Sequence, residues 1–363
     1  MVLSRKTRSR LAACALLLLL AALGGAAAAE GARPIRFMVR TMGSTATLTL
    51  VGADSLALAP LAARAMANFA RVDSLMSNWT RSSEVARING ALDGTVTGTP
   101  LTLEPETARV IALALRVAAE SEGAFDPTVE PLVRLWGFLG GAKQVPEPAA
   151  IAALLPSVGF GRLRLDPDRG SLAALRSGLR LDLGGIAKGY AVDCVRDSLV
   201  AFGVQDALID LSGNIALLGT RPGRSAWRLG LRDPADRAAT LGTLTLPRAA
   251  VATSGDYEQF FAQDGQRYGH ILDPRRGWPV DSLASVTVVM DSATLADAWA
   301  TALTVLGPTA ARRLAAARRD MDVILVERRP EAEGPDLIWV EASLAAAFSL
   351  DPGQAGRYGL RRF

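Results

Sequence analysis

The single histidine of this 363-residue chain, His270, lies in a run that also holds Ser254, Asp256, Tyr257, Tyr268 and Asp273. An imidazole titrates nearest neutral pH, so it can take up or release a proton, or hold a polar ligand, with little retuning. A lone histidine can equally be a satisfied member of a hairpin, but this density of hydroxyl and carboxylate neighbours, in a chain rich in Ala, Leu and Arg, points to a site. Gly255-Asp256 and Asp264-Gly265 signal turns, so Phe260-Phe261 and Tyr268 to Leu272 are expected as the strands of a hairpin. His270 is then expected on a strand, just before the break at Asp273-Pro274.

Three further segments carry chemistry. Leu181-Asp-Leu-Gly-Gly-Ile-Ala-Lys-Gly-Tyr-Ala-Val-Asp193 sets Asp182 at a strand end, two glycines in a turn, and Lys188 in the first turn of a helix. Glycines let a ligand approach the backbone, and the unpaired N–H groups and dipole of a helix start favour phosphate. An ordinary strand-to-helix turn with a solvated lysine fits the same letters. Asp297 and Thr301 stand four apart in an expected helix, so their oxygens leave one face. A carboxylate and a hydroxyl suit a hard cation such as Mg²⁺. Capping or surface roles also fit, although Ala293, Ala298, Ala300 and Ala302 around them argue against a solvated charged face. In Gly123 to Phe138, Asp126 is expected as an N-cap with Pro127 at the first helical position, and Trp136 and Phe138 as core. Phe125 could equally offer its face to a planar ring.

These residues need a scaffold. Periodicity predicts helices over Leu56 to Met76, Glu106 to Glu120, Ile186 to Phe202 and Thr294 to Leu306. Strands are expected at Thr45 to Val51, Leu163 to Leu165, Ala173 to Leu175, Leu179 to Leu183, Ala207 to Leu211, Ile215 to Leu218, Trp227 to Leu231, Leu241 to Leu246, Ala249 to Thr253 and Ser285 to Met290. Val323 to Val326 and Leu337 to Val340 are expected to close the chain. Strands that follow one another through short turns argue for an α+β fold of mostly antiparallel sheets with packed helices, rather than a doubly wound parallel one. Gly140 to Pro148, rich in Gly and Pro, reads as a surface loop. No Gly-x-Gly-x-x-Gly follows a strand and no Walker-type loop is present, so a nucleotide would have to be held by another device.

Arg5, Lys6, Arg8 and Arg10 precede an apolar and glycine stretch from Leu11 to Ala29, which describes a secretory signal peptide over residues 1–29, with an uncleaved membrane anchor as the alternative. Export to a periplasm-like compartment, with membrane association if the segment is retained, is the expectation. Without residues 1–29 the chain has 36 Lys+Arg against 36 Asp+Glu, so nothing supports a nucleic-acid partner. Cys194 is then the one cysteine left, which leaves no intramolecular disulfide.

Taken together these segments resemble the ApbE family of FAD:protein FMN transferases. The matching pieces are Met42-Gly-Ser44, Ser77 to Asn89, Gly123 to Phe138, Leu181 to Asp193, Ala252 to Asp256, His270 to Pro279 and Ser285 to Gly307, in the family's order. The resemblance implies one flavin transferase domain over 30–363, with FAD bound between two lobes. It implies a Mg²⁺-dependent transfer of FMN to a Thr or Ser hydroxyl of an acceptor protein, as a phosphoester, with release of AMP. The acceptor would be an exported or membrane redox subunit. By the same resemblance Met42, Trp79, Ala124, Phe125, Asp126, Asp182, Lys188, His270 and Ile271 would contact FAD, and Asp297, Thr301 and the Gly185 carbonyl would hold Mg²⁺. Trp79 replaces a common tyrosine and keeps a stacking surface, while Ser212-Gly213 replaces two glycines. His270 is the candidate base, with Asp256 as helper. An FAD pyrophosphatase, with water in place of the acceptor, and a non-catalytic FAD-binding or storage protein are the rival expectations.

Overall fold

The computed structural model describes residues 31–94 and 97–363. The expected signal peptide lies outside the described residues. Among those described, no helix is long and apolar enough to cross a membrane.

Nine strands form one sheet in simple chain order: β1 (Arg33–Thr41), β2 (Ser44–Gly52), β3 (Ala207–Leu211), β4 (Asn214–Leu218), β5 (Ala250–Gly255), β6 (Leu283–Met290), β7 (Asp322–Glu327), β8 (Asp336–Val340) and β9 (Tyr358–Arg362). Every neighbouring pair is antiparallel except β8 with β9. The described helices are α1 (Ser55–Met76), α2 (Glu84–Gly94), α3 (Pro105–Glu120), α4 (Glu130–Leu135), α5 (Pro148–Leu154), α6 (Ala187–Ala201) and α7 (Ala293–Ala316).

The period-two alternation of the strands sends residues to opposite faces. Leu48, Ile209, Ala252, Val286, Val288 and Leu325 join the core beneath α1, α3, α6 and α7, whereas Leu217, Val251, Ala284, Val289 and Ile324 join a second cluster. That second cluster is closed by a three-stranded sheet of Trp227–Arg232, Thr240–Leu246 and Phe348–Leu350. β6 is covered on both faces, which is why all its residues are buried and its sequence reads as a continuous apolar run. A smaller lobe has its own aromatic core, in which Trp136, Phe138, Leu132 and Leu272 pack with Phe261, Tyr268 and Trp278.

Several expectations are corrected. Leu179 to Leu183 is a connection, not a strand, because the Asn89 side chain takes the Leu181 backbone groups and a loop carbonyl, that of Pro127, takes the Asp182 N–H, with no strand alongside. β1 and α2 add to the expected elements, and the chain continues past β8 to Phe348–Leu350 and β9. His270 does not sit on a strand: it bridges the short strands Gln266–Gly269 and Leu272–Asp273. Asp126 is no N-cap, since α4 starts only at Glu130. The expected end at Leu306 is real as a kink: Gly307 takes φ 76° before Pro308, and the helix resumes beyond it to Ala316.

Candidate functional site

The site is built where α6 and α7 touch. An ideal Cβ on Gly189 would lie 2.1 Å from the Ala293 carbonyl oxygen and 2.8 Å from Asp297 Cβ, so only glycine permits this approach. Asp193, one turn further along α6, accepts hydrogen bonds from Ala293 N (3.0 Å), Thr294 N (2.9 Å), Thr294 Oγ1 (2.6 Å) and Ser292 Oγ (2.8 Å). It thereby satisfies the free N–H groups at the start of α7 from a neighbouring helix. The Gly189 N–H also donates to Asp297 Oδ2 at 2.9 Å.

Asp297 is buried, and burial pushes its carboxyl pKa up while Lys188 opposes the shift. One turn on, Thr301 Oγ1 lies 3.4 Å from Ser254 Oγ on β5. The Cβ position of Gly185 is 3.2 Å from Thr301 Oγ1 and 3.1 Å from Phe125 Cε2, so the glycine turn, the hydroxyl and the aromatic ring meet at one point. Asn214 on β4 stands beside Asp297, and its buried Oδ1 has no hydrogen-bond partner. A desolvated carboxylate, two hydroxyls and an orphaned amide oxygen fit a hard cation. Among the described residues no three His, Cys, Asp or Glu side chains cluster, so neutral oxygens would have to complete any such shell.

The wall on the other side of the glycine turn is held by asparagines. Asn89 is buried and grips Leu181 twice: its Nδ2 donates to the Leu181 carbonyl at 2.9 Å and its Oδ1 accepts from the Leu181 N–H at 2.6 Å. Asn78 Nδ2 donates to the same carbonyl at 3.1 Å, which ties the loop carrying the 68 % exposed Trp79 to Leu181, next to Asp182. Asp182 Oδ1 accepts from Gly184 N at 2.7 Å, and its backbone N–H donates to the Pro127 carbonyl at 2.7 Å. Burial, with Glu130 nearby, pushes the Asp182 carboxyl up. Asp126 staples its own loop: Oδ1 accepts from Thr128 N and Oγ1, and Oδ2 from Phe160 N at 2.8 Å. Its pKa is also raised by burial. Ala124 and Ile271 pack together with Val305 of α7, where the smaller lobe meets the large one.

His270 is half-buried at that junction. Its backbone N–H donates to the Gln259 carbonyl at 3.0 Å, and its Nδ1 lies 3.1 Å from the same oxygen. A carbonyl only accepts, so Nδ1 carries the proton and Nε2 keeps its lone pair. Burial first, then the charge of Lys188, lowers the imidazole pKa to about 4. Phe138 meets the ring edge-on at 6.3 Å between centroids. Asp256 is buried with both carboxylate oxygens on Arg328, one bond at 2.9 Å from Nη2, and the Arg267 guanidinium at 3.6 Å. It reaches His270 as a charge that raises its pKa, against the lysine.

Gly185, Thr301, Asp297, Lys188 and Phe125 thus converge, with Asp182 and Asp126 joined to them through the Gly184 turn and Pro127. Met42 stands apart at the tip of the β1–β2 hairpin with φ 48°, connected through the contact of Ser44 with Ser212. The sequence alone assigns no role to Asn78, Asn89, Asp193 or Asn214. The first three lie inside segments already singled out, and their polarity amid apolar periodicity is the available signal.

The sequence profile of the ApbE family matches residues 42–325, which contain all of these side chains except Arg328. The chain belongs to the ApbE family. An FAD:protein FMN transferase of Klebsiella pneumoniae is 38 % identical over 291 residues, covering 79 % of this chain and 87 % of its own. The apo flavinyl transferase ApbE of Pseudomonas stutzeri superposes with a TM-score of 0.72 at 35 % identity, over 83 % of this chain and 93 % of its own. Flavin Transferase ApbE from Vibrio cholerae gives 0.72 at 32 % identity, over 82 % and 94 %. The ApbE fold accounts for the mostly antiparallel α+β layout expected from the sequence.

Proposed function

We propose that this chain transfers FMN from FAD to a Thr or Ser hydroxyl of an acceptor protein, with AMP as the leaving group. The observation that carries the reading is the meeting of the Gly184-Gly185 turn, Thr301 and Asp297 beside Lys188, with a neutral imidazole at the same lobe junction. FAD lies between the lobes on this reading. Phe125, Trp79, Met42, Ala124 and Ile271 supply apolar contact, and Asp126 and Asp182 shape the polar wall. Lys188 and the N–H groups at the start of α6 take the pyrophosphate.

Asp297, Thr301 and the Gly185 carbonyl would hold Mg²⁺, which would supply neutralisation of charge on the pyrophosphate. The acceptor oxygen attacks the FMN-side phosphorus in line. A P–O bond to the acceptor forms, the bond to the bridging oxygen breaks, and that oxygen departs on AMP. The hydroxyl proton passes to His270 Nε2, whose tautomer is set by the Gln259 carbonyl. Asp256, clamped by Arg328, acts on His270 through its charge rather than by taking the proton. Positioning supplies most of the rate, since a bound near-attack geometry removes entropy from the barrier.

Export of a flavin transferase domain spanning 30–363, to a periplasmic or membrane-associated site, is part of the proposal. The basic and apolar leader supports it, and so does the reading of the acceptor as an exported or membrane redox subunit. Incubating the mature protein with FAD and Mg²⁺, with and without a Thr-bearing acceptor, tests the activity. AMP that appears only with acceptor supports transfer. AMP without it means pyrophosphatase, and retained flavin with no AMP means storage.

A further inference from the structure

Beyond the leader's Lys6 the chain has two lysines, Lys143 and Lys188, against a surface otherwise built with arginine. Both act on the one histidine: their charges oppose protonation of His270. Lys188 is accounted for at the start of α6. Lys143 lies on the exposed loop after Phe138, and the other elements of the site leave it without a task.

Its position is fixed by the backbone. Gly137, at φ 76°, lets the loop fold back so closely that a Cβ there would lie 2.3 Å from the Ala142 carbonyl oxygen and 2.9 Å from Lys143 Cα. Two residues further, Val145 N donates to Gln263 Oε1 at 3.1 Å, which tethers the loop to the hairpin that leads into His270. Lys143 Nζ is thereby carried over the Phe138 ring, 5.5 Å from its centroid, and that ring meets His270 edge-on. Arg232 is paired with Glu258, Arg267 and Arg328 with Asp256, and Arg275 with Asp273. Among the described residues Lys143 forms no ion pair with a carboxylate.

An exposed cation held in place beside the base, yet left unpaired, is poised for an anion that arrives with the second substrate. Phe125 and Asp297 are buried, whereas Lys143 is exposed, as a residue that meets a macromolecule delivering a hydroxyl must be. We propose that Lys143 is a specificity-determining residue that receives an acidic side chain flanking the Thr or Ser of the acceptor. A charge at the rim acts on recruitment and choice of partner more than on the chemical step. This rests on the transferase reading.

The test uses synthetic peptides with one central Thr and a single Asp, Asn or Lys at each flanking position in turn, presented to the mature enzyme with FAD and Mg²⁺. The wild type is expected to favour Asp over Asn at one position by roughly tenfold in kcat/KM, expressed in KM, with the preference fading as salt is raised. Lys143→Met should erase that preference and Lys143→Glu should turn it toward Lys, with FAD affinity, read by flavin fluorescence, unchanged in both. A preference that survives in Lys143→Met, a wild type indifferent to charge, or an equal loss of FAD affinity would each overturn the assignment while leaving transfer intact. Release of AMP with no peptide modified, under conditions where a protein acceptor is also untouched, would overturn the transferase reading itself and the assignment with it.

Discussion

Replacing His270 by Asn should make the protein less sensitive to acid, even though it removes the proposed base. The folded imidazole is held neutral, with its pKa lowered from 6.5 to about 4 by burial and by Lys188. Between those values the unfolded chain binds a proton that the folded chain refuses. Stability from this group is therefore complete above 6.5 and is lost as pH falls toward 4. At pH 4.5 the unfolded imidazole is nearly all protonated and the folded one about a quarter so, which corresponds to a loss of about 2.5 kcal/mol relative to neutral pH. Solvent screening of the partly exposed ring reduces this to about 2 kcal/mol. Asn keeps an N–H for the Gln259 carbonyl but does not titrate. The carboxyls raised by burial, Asp126, Asp182 and Asp297, change stability in the opposite sense on acidification, but they are common to both proteins and cancel in the difference. Urea unfolding of wild type and His270→Asn at pH 7.5 and pH 4.5 gives that difference directly. Parallel pH dependences in the two proteins would refute the claim of a half-buried, neutral imidazole, and with it the assignment of a free Nε2 at working pH.

Gly189→Ala must push α6 from α7, because its Cβ has no room beside the Ala293 carbonyl. Calorimetry should show a loss of about 1–3 kcal/mol, the usual cost of overpacking, and manganese binding should weaken with it. Asp193→Ala leaves the N–H groups of Ala293 and Thr294 without their acceptor, and a destabilisation of about 1.5–3 kcal/mol is expected for charge-assisted bonds in thermal unfolding. Asp297→Asn removes the one carboxylate among the proposed cation ligands. Titration calorimetry should find divalent-ion affinity reduced by roughly 100-fold or more, beyond the range seen when only supporting residues are changed, with the fold retained.

The parts of the fold that alternate or repeat strongly are legible in the sequence. β3 is predicted with its observed bounds because one face of the strand is buried, and α1 and α6 to within one residue at each end because their apolar stripes face the sheet. β1 escapes such reading because as an edge strand it is mostly exposed and carries Arg33, Arg36 and Arg40 where a buried strand would show aliphatics. Leu179 to Leu183 misleads for the opposite reason: its leucines alternate into the core, but asparagine side chains, not a neighbouring strand, satisfy Leu181. The i, i+4 spacing of Asp297 and Thr301 puts both on one face of α7, and the glycine pair marks the turn that meets them. What one chain segment does not show is the capping of α7 by Asp193 from a neighbouring helix, or the burial of Asp256 under Arg328, since each partner lies about a hundred or seventy positions away. Long-range side-chain pairing leaves no periodic trace in sequence.

Intact-mass measurement of an acceptor protein, after incubation with the enzyme and FAD, tests the central claim most directly. With Mg²⁺ present the acceptor should gain the mass of one esterified FMN on a Thr or Ser, with one AMP per modification, and neither His270→Asn nor Asp297→Asn should match the wild-type rate. Modification at the full rate in the Asp297→Asn protein under chelator, or AMP formed while the acceptor mass stays unchanged, would contradict it.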